Sequence, residues 1–523
     1  MKTLLKEALG RGRAAATFYD WLHPTRPRTR YNLEQLSAHL PTAVADTRAV
    51  APKTKSGKRL LLFATLHYWI EQAAMVGLAL RGMGHDVAVA YLPYSNWDKE
   101  INGFDLRRQD LYTRRVLRRL DGLVSAFSLL DMRPANKLPP SLEQAVETAS
   151  AYDVMYSLQV ENVDRRSALY KLRARRNRDA CAAALALLEA QRPDVVLVPN
   201  GLVTELGVFY RAARHLGILT VTYEFNDQRE QVWLAQNDIV MHQNTDDLWR
   251  ARSSRRLTPS EREKIAAFEE ARSGARTYGK GTRPWQDTPA EGSAHIRDRL
   301  GLDSRPVVLL ATNVLGDSLT LGRNLFASSM AEWIERTVQY FAARPSVQLV
   351  VRVHPGERLI SGPSMTRVVE GAAPGHPEHI HVIGPREPTN TYDLMGLASC
   401  GLAYTTTVGL EMAMRGVPVI VAGRTHFRGR GFTIDPTSWD EYYESLDRLF
   451  EAPATHRLSP EQVETAWSYA HLFFFEYPFS LPWRLMHLWK DVGEWPLARV
   501  LSNEGRTAFG RTLGYLAGER IVW

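Results

Sequence analysis

The sequence predicts an α/β protein made of two Rossmann-like, doubly wound domains facing each other across a cleft, with helical extensions at both ends. Three observations predict it. KRLLLFAT at 58–65 and DVAVAYL at 86–92 are apolar strand runs separated by a helical stretch that Gly82-Met83-Gly84-His85 stops. That is the β-α-β opening of a parallel sheet. The pattern restarts at PVVLLATN, 306–313, and continues through VQLVVRVHPGE, IHVIG and CGLAYTTTVGLEMAMRGVPVIVAG, which ends at Gly423. At 523 residues, the chain also exceeds what one core organises.

Taken in order, residues 1–57 read as a basic N-terminal extension closed by a linker, LPTAVADTRAVAPKTKSG at 40–57. Residues 58–250 read as the first Rossmann-like domain. Its strands are placed at 58–65, 86–92, 194–200 (DVVLVPN), 218–224 (ILTVTYE) and 237–242 (NDIVMH), with a helical insertion over 105–190. The polar stretch 251–300 reads as an interdomain connection. Residues 301–437 read as the second Rossmann-like domain, and 438–523 supply C-terminal helices.

Composition sets limits. Hydrophobic residues at 45% and charged residues at 23% are ordinary for a globular protein. The two cysteines, Cys181 and Cys400, are far apart in apolar contexts, so neither a disulfide framework nor a thiolate metal site is expected. No apolar run reaches 18 residues and the N-terminus lacks a signal-peptide core. A cytoplasmic location follows as the expectation, with attachment at the inner face of a membrane left open. The net charge of +8 is concentrated in 1–30, 107–119 and 165–178. Such runs are solvated helix faces, or they meet an anionic membrane surface. Nucleic acid is not expected, since no recognition motif accompanies the charge.

The strongest chemical signal lies at two strand ends. Arg352 and His354 project to one side of an extended strand that Pro355 terminates. An arginine fork suits phosphate oxygens, and a histidine can donate to a leaving phosphate or protonate it. Alternatively, Arg352 pairs with a core carboxylate and His354 caps a loop. Thr405, Thr406 and Thr407 precede Gly409 and a helix start, offering hydroxyls and amide donors to phosphate or acting as plain capping residues. Glu411 falls in that helix's first turn, where it accepts sugar hydroxyls or merely complements the dipole. Asn313 and Gly316 follow the domain's first strand on the same edge. For the base that deprotonates an acceptor hydroxyl, His67, Glu224 and Glu205 compete at strand ends of the first domain.

The run from ATNVLGDSLT through RVHPGE to TTTVGLEMAMRGVPVIVAG resembles the C-terminal domain of capsule-polysaccharide biosynthesis proteins. These are glycosyltransferase-like enzymes of the GT-B fold, with teichoic-acid glycerophosphotransferases as distant relatives. The resemblance implies a nucleotide-sugar donor held by the second domain as a co-substrate, with no separate cofactor, and a surface-polysaccharide or lipid-linked glycan acceptor at the first. It also tips Glu411 toward a role in donor binding. No Asp-x-Asp, P-loop, Gly-x-Gly-x-x-Gly, His-Glu-x-x-His or Gly-x-Ser-x-Gly occurs. Metal-independent glycosyl transfer is therefore expected, with no metal site. Alternatives are a polyol-phosphate transferase, a sugar-nucleotide epimerase and a non-catalytic glycan-assembly scaffold.

Overall fold

The computed structural model describes residues 13–22, 30–54, 56–133, 137–281, 283, 285–451 and 457–523. It is a mixed α/β protein whose two sheets of mainly parallel strands are flanked by helices. The chain divides into two compact units. One comprises residues 1–153, 164–241 and 479–522; the other comprises 154–163, 242–478 and the terminal Trp523.

The sheet of the first unit contains β1 (Arg59–Thr65), β2 (Asp86–Leu92), β3 (Val124–Ser128), β4 (Val195–Pro199), β5 (Leu219–Phe225) and β6 (Gln231–Gln236). Its order is β3-β2-β1-β4-β5-β6, closed by the two-residue strand Phe479–Ser480. The first five strands are parallel, and β6 folds back antiparallel on β5. Leu60 to Thr65 are all buried, as a parallel strand covered on both faces requires.

In the second unit all five strands are parallel: β7 (Val307–Ala311), β8 (Gln348–Arg352), β9 (Ile380–Ile383), β10 (Cys400–Ala403) and β11 (Val419–Val421). Their order, β9-β8-β7-β10-β11, repeats that of β3-β2-β1-β4-β5. Strand order reverses at β1/β4 in one unit and at β7/β10 in the other, and such switch points open a crevice at the carboxyl edge. Trp333, Phe341, Tyr442, Val308 and Leu310 pack the second unit's core. Among the described residues, no helix is long and apolar enough to cross a membrane.

Several boundaries differ from those read in the sequence. Residues 34–50 form a helix (Glu34–Val50) and not an extension with a linker; Leu36, Leu40, Ala43 and Val44 are buried along one side. Pro41 lies inside it, and its missing N–H leaves the Ser37 carbonyl without a helical donor. Arg119 Nη1 donates to that carbonyl at 2.8 Å, so the helix continues. The strand expected at 237–242 is a 3₁₀ turn (Val240–His242), and QVWLAQ just before it forms β6. The stretch 251–300 belongs to the second unit, as do residues 154–163. Glu161 accepts from the Met330 and Ala331 amides at 2.8 Å each, at the start of helix Met330–Ala342.

Because Leu36, Leu40 and Val44 belong to the first unit's core, deleting residues 1–50 should abolish its cooperative unfolding, followed by circular dichroism on heating. Leu40→Ala in the full chain should cost about 2–5 kcal/mol in urea titrations. A deletion variant that melts like the full chain would contradict this packing.

Candidate functional site

At the carboxyl edge of the second unit's sheet lies a pocket enclosing about 620 Å³, part of it open to solvent. The ends of β8 and β10 and the segment 283–288 wall it. Arg352 is the last residue of β8 and is 4% exposed. It donates from Nη1 to the Gly384 carbonyl at 2.8 Å and from Nη2 to the Thr389 carbonyl at 2.9 Å. Two of its donor groups are thus spent on the loops after β9, and neither reading from sequence anticipated those partners. Its Nε is buried without a partner, and among the described residues no carboxylate forms an ion pair with it. Burial pushes its pKa down to about 10, against a weak attraction from Glu387.

His354 follows two residues later and is half-buried. Its Nδ1 accepts from the Gly356 amide at 3.0 Å, and its own amide donates to Thr312 Oγ1 at 3.0 Å. An acceptor Nδ1 puts the ring proton on Nε2. Burial, reinforced by Arg283 and Arg352, lowers its pKa to about 4. The imidazole is therefore neutral at pH 7: a hydrogen-bond donor, with no imidazolium to act as a general acid in this state. It also caps the loop.

Thr406 and Thr407 line the pocket, whereas Thr405 does not. Thr406 Oγ1 accepts from the Val408 amide at 3.4 Å, and Thr407 makes no side-chain cap. Thr405 Oγ1 is buried without a partner, while its amide donates to Asn313 Oδ1 at 3.2 Å, stitching the switch point between β7 and β10. The helix that follows, Val408–Met414, has only seven residues and contributes little dipole.

Two glycines have other reasons. A Cβ on Gly409 would lie 3.0 Å from the Phe427 ring and 3.1 Å from Ala403 Cβ, so that glycine serves packing in the core. At Gly316, in the left-handed region at φ +66°, a Cβ would lie 2.1 Å from the Met155 carbonyl. It lets residues 154–163 approach, and it does not line the pocket. Glu411 does line it, but its Oε1 lies 2.6 Å from Arg272 Nη2 in a pair buried on both sides.

The residues missed from sequence come from the supposed connection and the loop after β9. Trp285 presents a ring on the wall, its centroid 6.2 Å from that of His354. The one available signal was an aromatic in the otherwise polar segment RPWQD, 283–287. Asn390 accepts from the Tyr392 amide and donates to the Ser273 and Thr288 carbonyls, at 2.8, 2.9 and 2.9 Å, fixing the pocket's outer wall.

In the first unit, Glu205 is buried with Oε1 2.9 Å from Arg173 Nη2, and Arg173 also binds Asp153 at 2.9 Å. That closed ionic cluster removes Glu205 from the base candidates. Glu224 stands at the end of β5, where Asn200 Nδ2 donates to its Oε2 at 2.9 Å, and burial raises its pKa. Asn200 itself adopts a left-handed φ of +59° at the end of β4. His67 begins helix His67–Gly82; burial lowers its pKa and its Nδ1 has no partner. Nearby in sequence, Thr65 Oγ1 and Gln72 Nε2 are likewise buried and unpartnered. Buried polar atoms without partners call for a physical account, and a ligand supplies one.

The depressed pKa of His354 sets a pH signature. Protonation is harder in the native state than in the unfolded one, where the ring titrates near 6.5. Its contribution leaves stability unaffected above about pH 6.5 and lowers it as the pH falls toward about 4. Urea midpoints of His354→Gln should therefore lack a share of the acid-side decline that the wild type shows across that window. Parallel pH profiles would refute the neutral assignment.

Neither a family model nor a curated protein matches this chain. Among solved structures, the chain is similar to a beta Kdo 2,4 transferase, KpsC of Thermosulfurimonas dismutans, at 17% identity and TM-score 0.34 over 55% of this chain and 82% of that one. A UDP-GlcNAc 2-epimerase from Neisseria meningitidis, bound to UDP-GlcNAc, aligns at 14% identity and TM-score 0.25 over 80% and 99%. A glycosyltransferase from Rickettsia africae aligns at 9% identity and TM-score 0.28 over 86% and 100%. At these values the functional reading rests on the site itself.

Proposed function

We propose that this chain is a GT-B-type glycosyltransferase whose second unit holds a nucleotide-sugar donor. One observation carries the proposal: the Arg352 guanidinium is buried in a pocket wall and, among the described residues, no carboxylate is paired to it. An uncompensated buried cation is costly, and a bound anion offsets that cost. Around it stand a second arginine, Arg283, and neutral donors: the Nε2–H of His354 and the hydroxyls of Thr406 and Thr407. The Trp285 ring offers a stacking face for a base. A flat ring beside an anion site suits a nucleoside phosphate better than a free phosphate.

The chemistry then follows. The bond from the anomeric carbon to the donor's phosphate oxygen breaks, and its electron pair goes to the leaving nucleotide. The acceptor oxygen forms the new glycosidic bond and loses its proton to a base. Charge grows on the leaving phosphate, where Arg352 and His354 stabilise it by fixed, preorganised donation. Glu224 is the base this reading assigns, ahead of His67, because Asn200 Nδ2 holds its Oε2 at 2.9 Å at the end of β5. A glycan or lipid-linked acceptor fits this scheme.

Isothermal titration with nucleoside mono- and diphosphates tests the donor site. Arg352→Ala should weaken binding roughly 10- to 150-fold, equivalent to about 1.5–3 kcal/mol for a charged hydrogen bond. Since Arg352 also holds two loops, Trp285→Ala provides a second probe, with a loss of about 1–3 kcal/mol. A wild-type chain that binds no nucleotide, or two variants that bind as tightly as it does, would overturn the proposal.

Glu224→Gln should cut sugar transfer by about 10²- to 10⁴-fold while leaving nucleotide affinity unchanged. His67→Ala, measured alongside, should have the smaller effect. Full transfer in both variants would assign the base elsewhere.

A further inference from the structure

Helix Arg13–Leu22 carries an outward aromatic face. Phe18 is 62% exposed, Trp21 74% and Leu22 50%, and the Phe18 and Trp21 rings stack at 6.1 Å. Among the described residues ten large hydrophobic side chains stand exposed, and four of them, including Tyr19, are on this one helix. Exposed apolar side chains scattered singly need no explanation, but a cluster does.

The helix is nevertheless held in place within the first unit. Ala16 is fully buried, and the Tyr19 ring meets Phe104 edge-on at 5.6 Å. Arg108 lies 4.8 Å from the centre of the Tyr19 ring, and Asp20 pairs with Arg115. These contacts anchor one side to helix Gly103–Leu117 and leave Phe18 and Trp21, at i and i+3, together on the free side.

Charge indicates what covers it. Residues 1–30 hold seven lysines and arginines against Glu7 and Asp20, a surplus of five out of the whole chain's +8. Asp20, the sole carboxylate between residues 8 and 30, is already neutralised by Arg115. An exposed tryptophan and phenylalanine in a stretch of sequence with surplus lysine and arginine match a bilayer interface, where aromatic rings sit at headgroup depth and cations meet anionic lipid. We propose that this helix seats the protein on an anionic lipid bilayer as a shallow interfacial anchor. The proposal uses none of the pocket residues and stands apart from the glycosyltransferase assignment.

The test is sedimentation of the full chain with phosphatidylcholine vesicles made with and without phosphatidylglycerol. Wild type should bind the phosphatidylglycerol vesicles, more weakly as salt is raised. The double variant F18S/W21S should lose about tenfold or more in vesicle affinity. Its thermal melt should match wild type, because both side chains are exposed. Absent binding, equal binding to pure phosphatidylcholine, or unchanged binding by the double variant would each overturn the proposal. So would gel filtration without lipid showing a dimer that the double variant abolishes, since the patch would then cover a second copy of the chain.

Discussion

The walls of the pocket depend on one buried guanidinium. Arg352 ends β8 and reaches across to the carbonyls of Gly384 and Thr389, so the loops that follow β9 cannot move without breaking charge-assisted hydrogen bonds. From there the ties continue outward. Thr389 Oγ1 accepts from Arg299 at 2.7 Å, and Asn390 fastens helix Thr391–Leu397 to the backbone of Ser273 and Thr288. The same cation that organises these walls keeps its Nε unpartnered and, among the described residues, no carboxylate paired to it. Structural and binding roles are therefore complementary: the carbonyl contacts hold Arg352 in place, and its charge is what a ligand would meet.

His354 gains its character from that neighbour. A lone imidazole in a pocket could carry charge near neutrality, but this one is partly desolvated by burial and sits beside two arginines. It is kept neutral with its proton on Nε2, because Nδ1 is committed to the Gly356 amide. The pocket then presents the guanidinium groups of Arg283 and Arg352 and several neutral donors. A site built that way changes little in charge across the physiological range, which suits a ligand whose own negative charge is constant.

Most of the parallel strands were legible in the sequence because strands buried on both faces read as continuous apolar runs. LLLFAT, VVLLA and QLVVR fall where those runs place them. The edge strand Val124–Ser128 was hidden, since only its two ends are buried and a short half-exposed run carries no periodic signal. Helix Glu34–Val50 was hidden by Pro41, whose penalty is offset by a side chain 78 positions later, Arg119, that no local pattern reveals. In the site, Arg352, His354, Thr406, Thr407 and Glu411 were legible as one cluster because they stand at strand ends on one edge. Glu205, Gly316 and Gly409 were misplaced for a shared reason: each answers to a tertiary neighbour, Arg173, Met155 or Phe427, that spacing cannot show. Trp285 escaped because pocket walls are drawn from irregular segments as readily as from strands.

The two units repeat one strand order yet differ in what they present at the carboxyl edge. The second offers an unpaired guanidinium and neutral donors, a field that attracts phosphate. The first offers a carboxyl whose pKa is raised by burial at Glu224 and an imidazole kept neutral at His67. Unpartnered hydroxyl and amide groups at Thr65 and Gln72 accompany them. The carboxylate repels an anion, and the hydroxyl and amide donate as readily to a hydroxyl-bearing ligand. They suit an uncharged ligand rich in hydroxyls, which can donate to a carboxylate and accept from an amide at once. Shared topology thus supplies two switch points, and the groups placed at a few strand ends make the two chemically unlike.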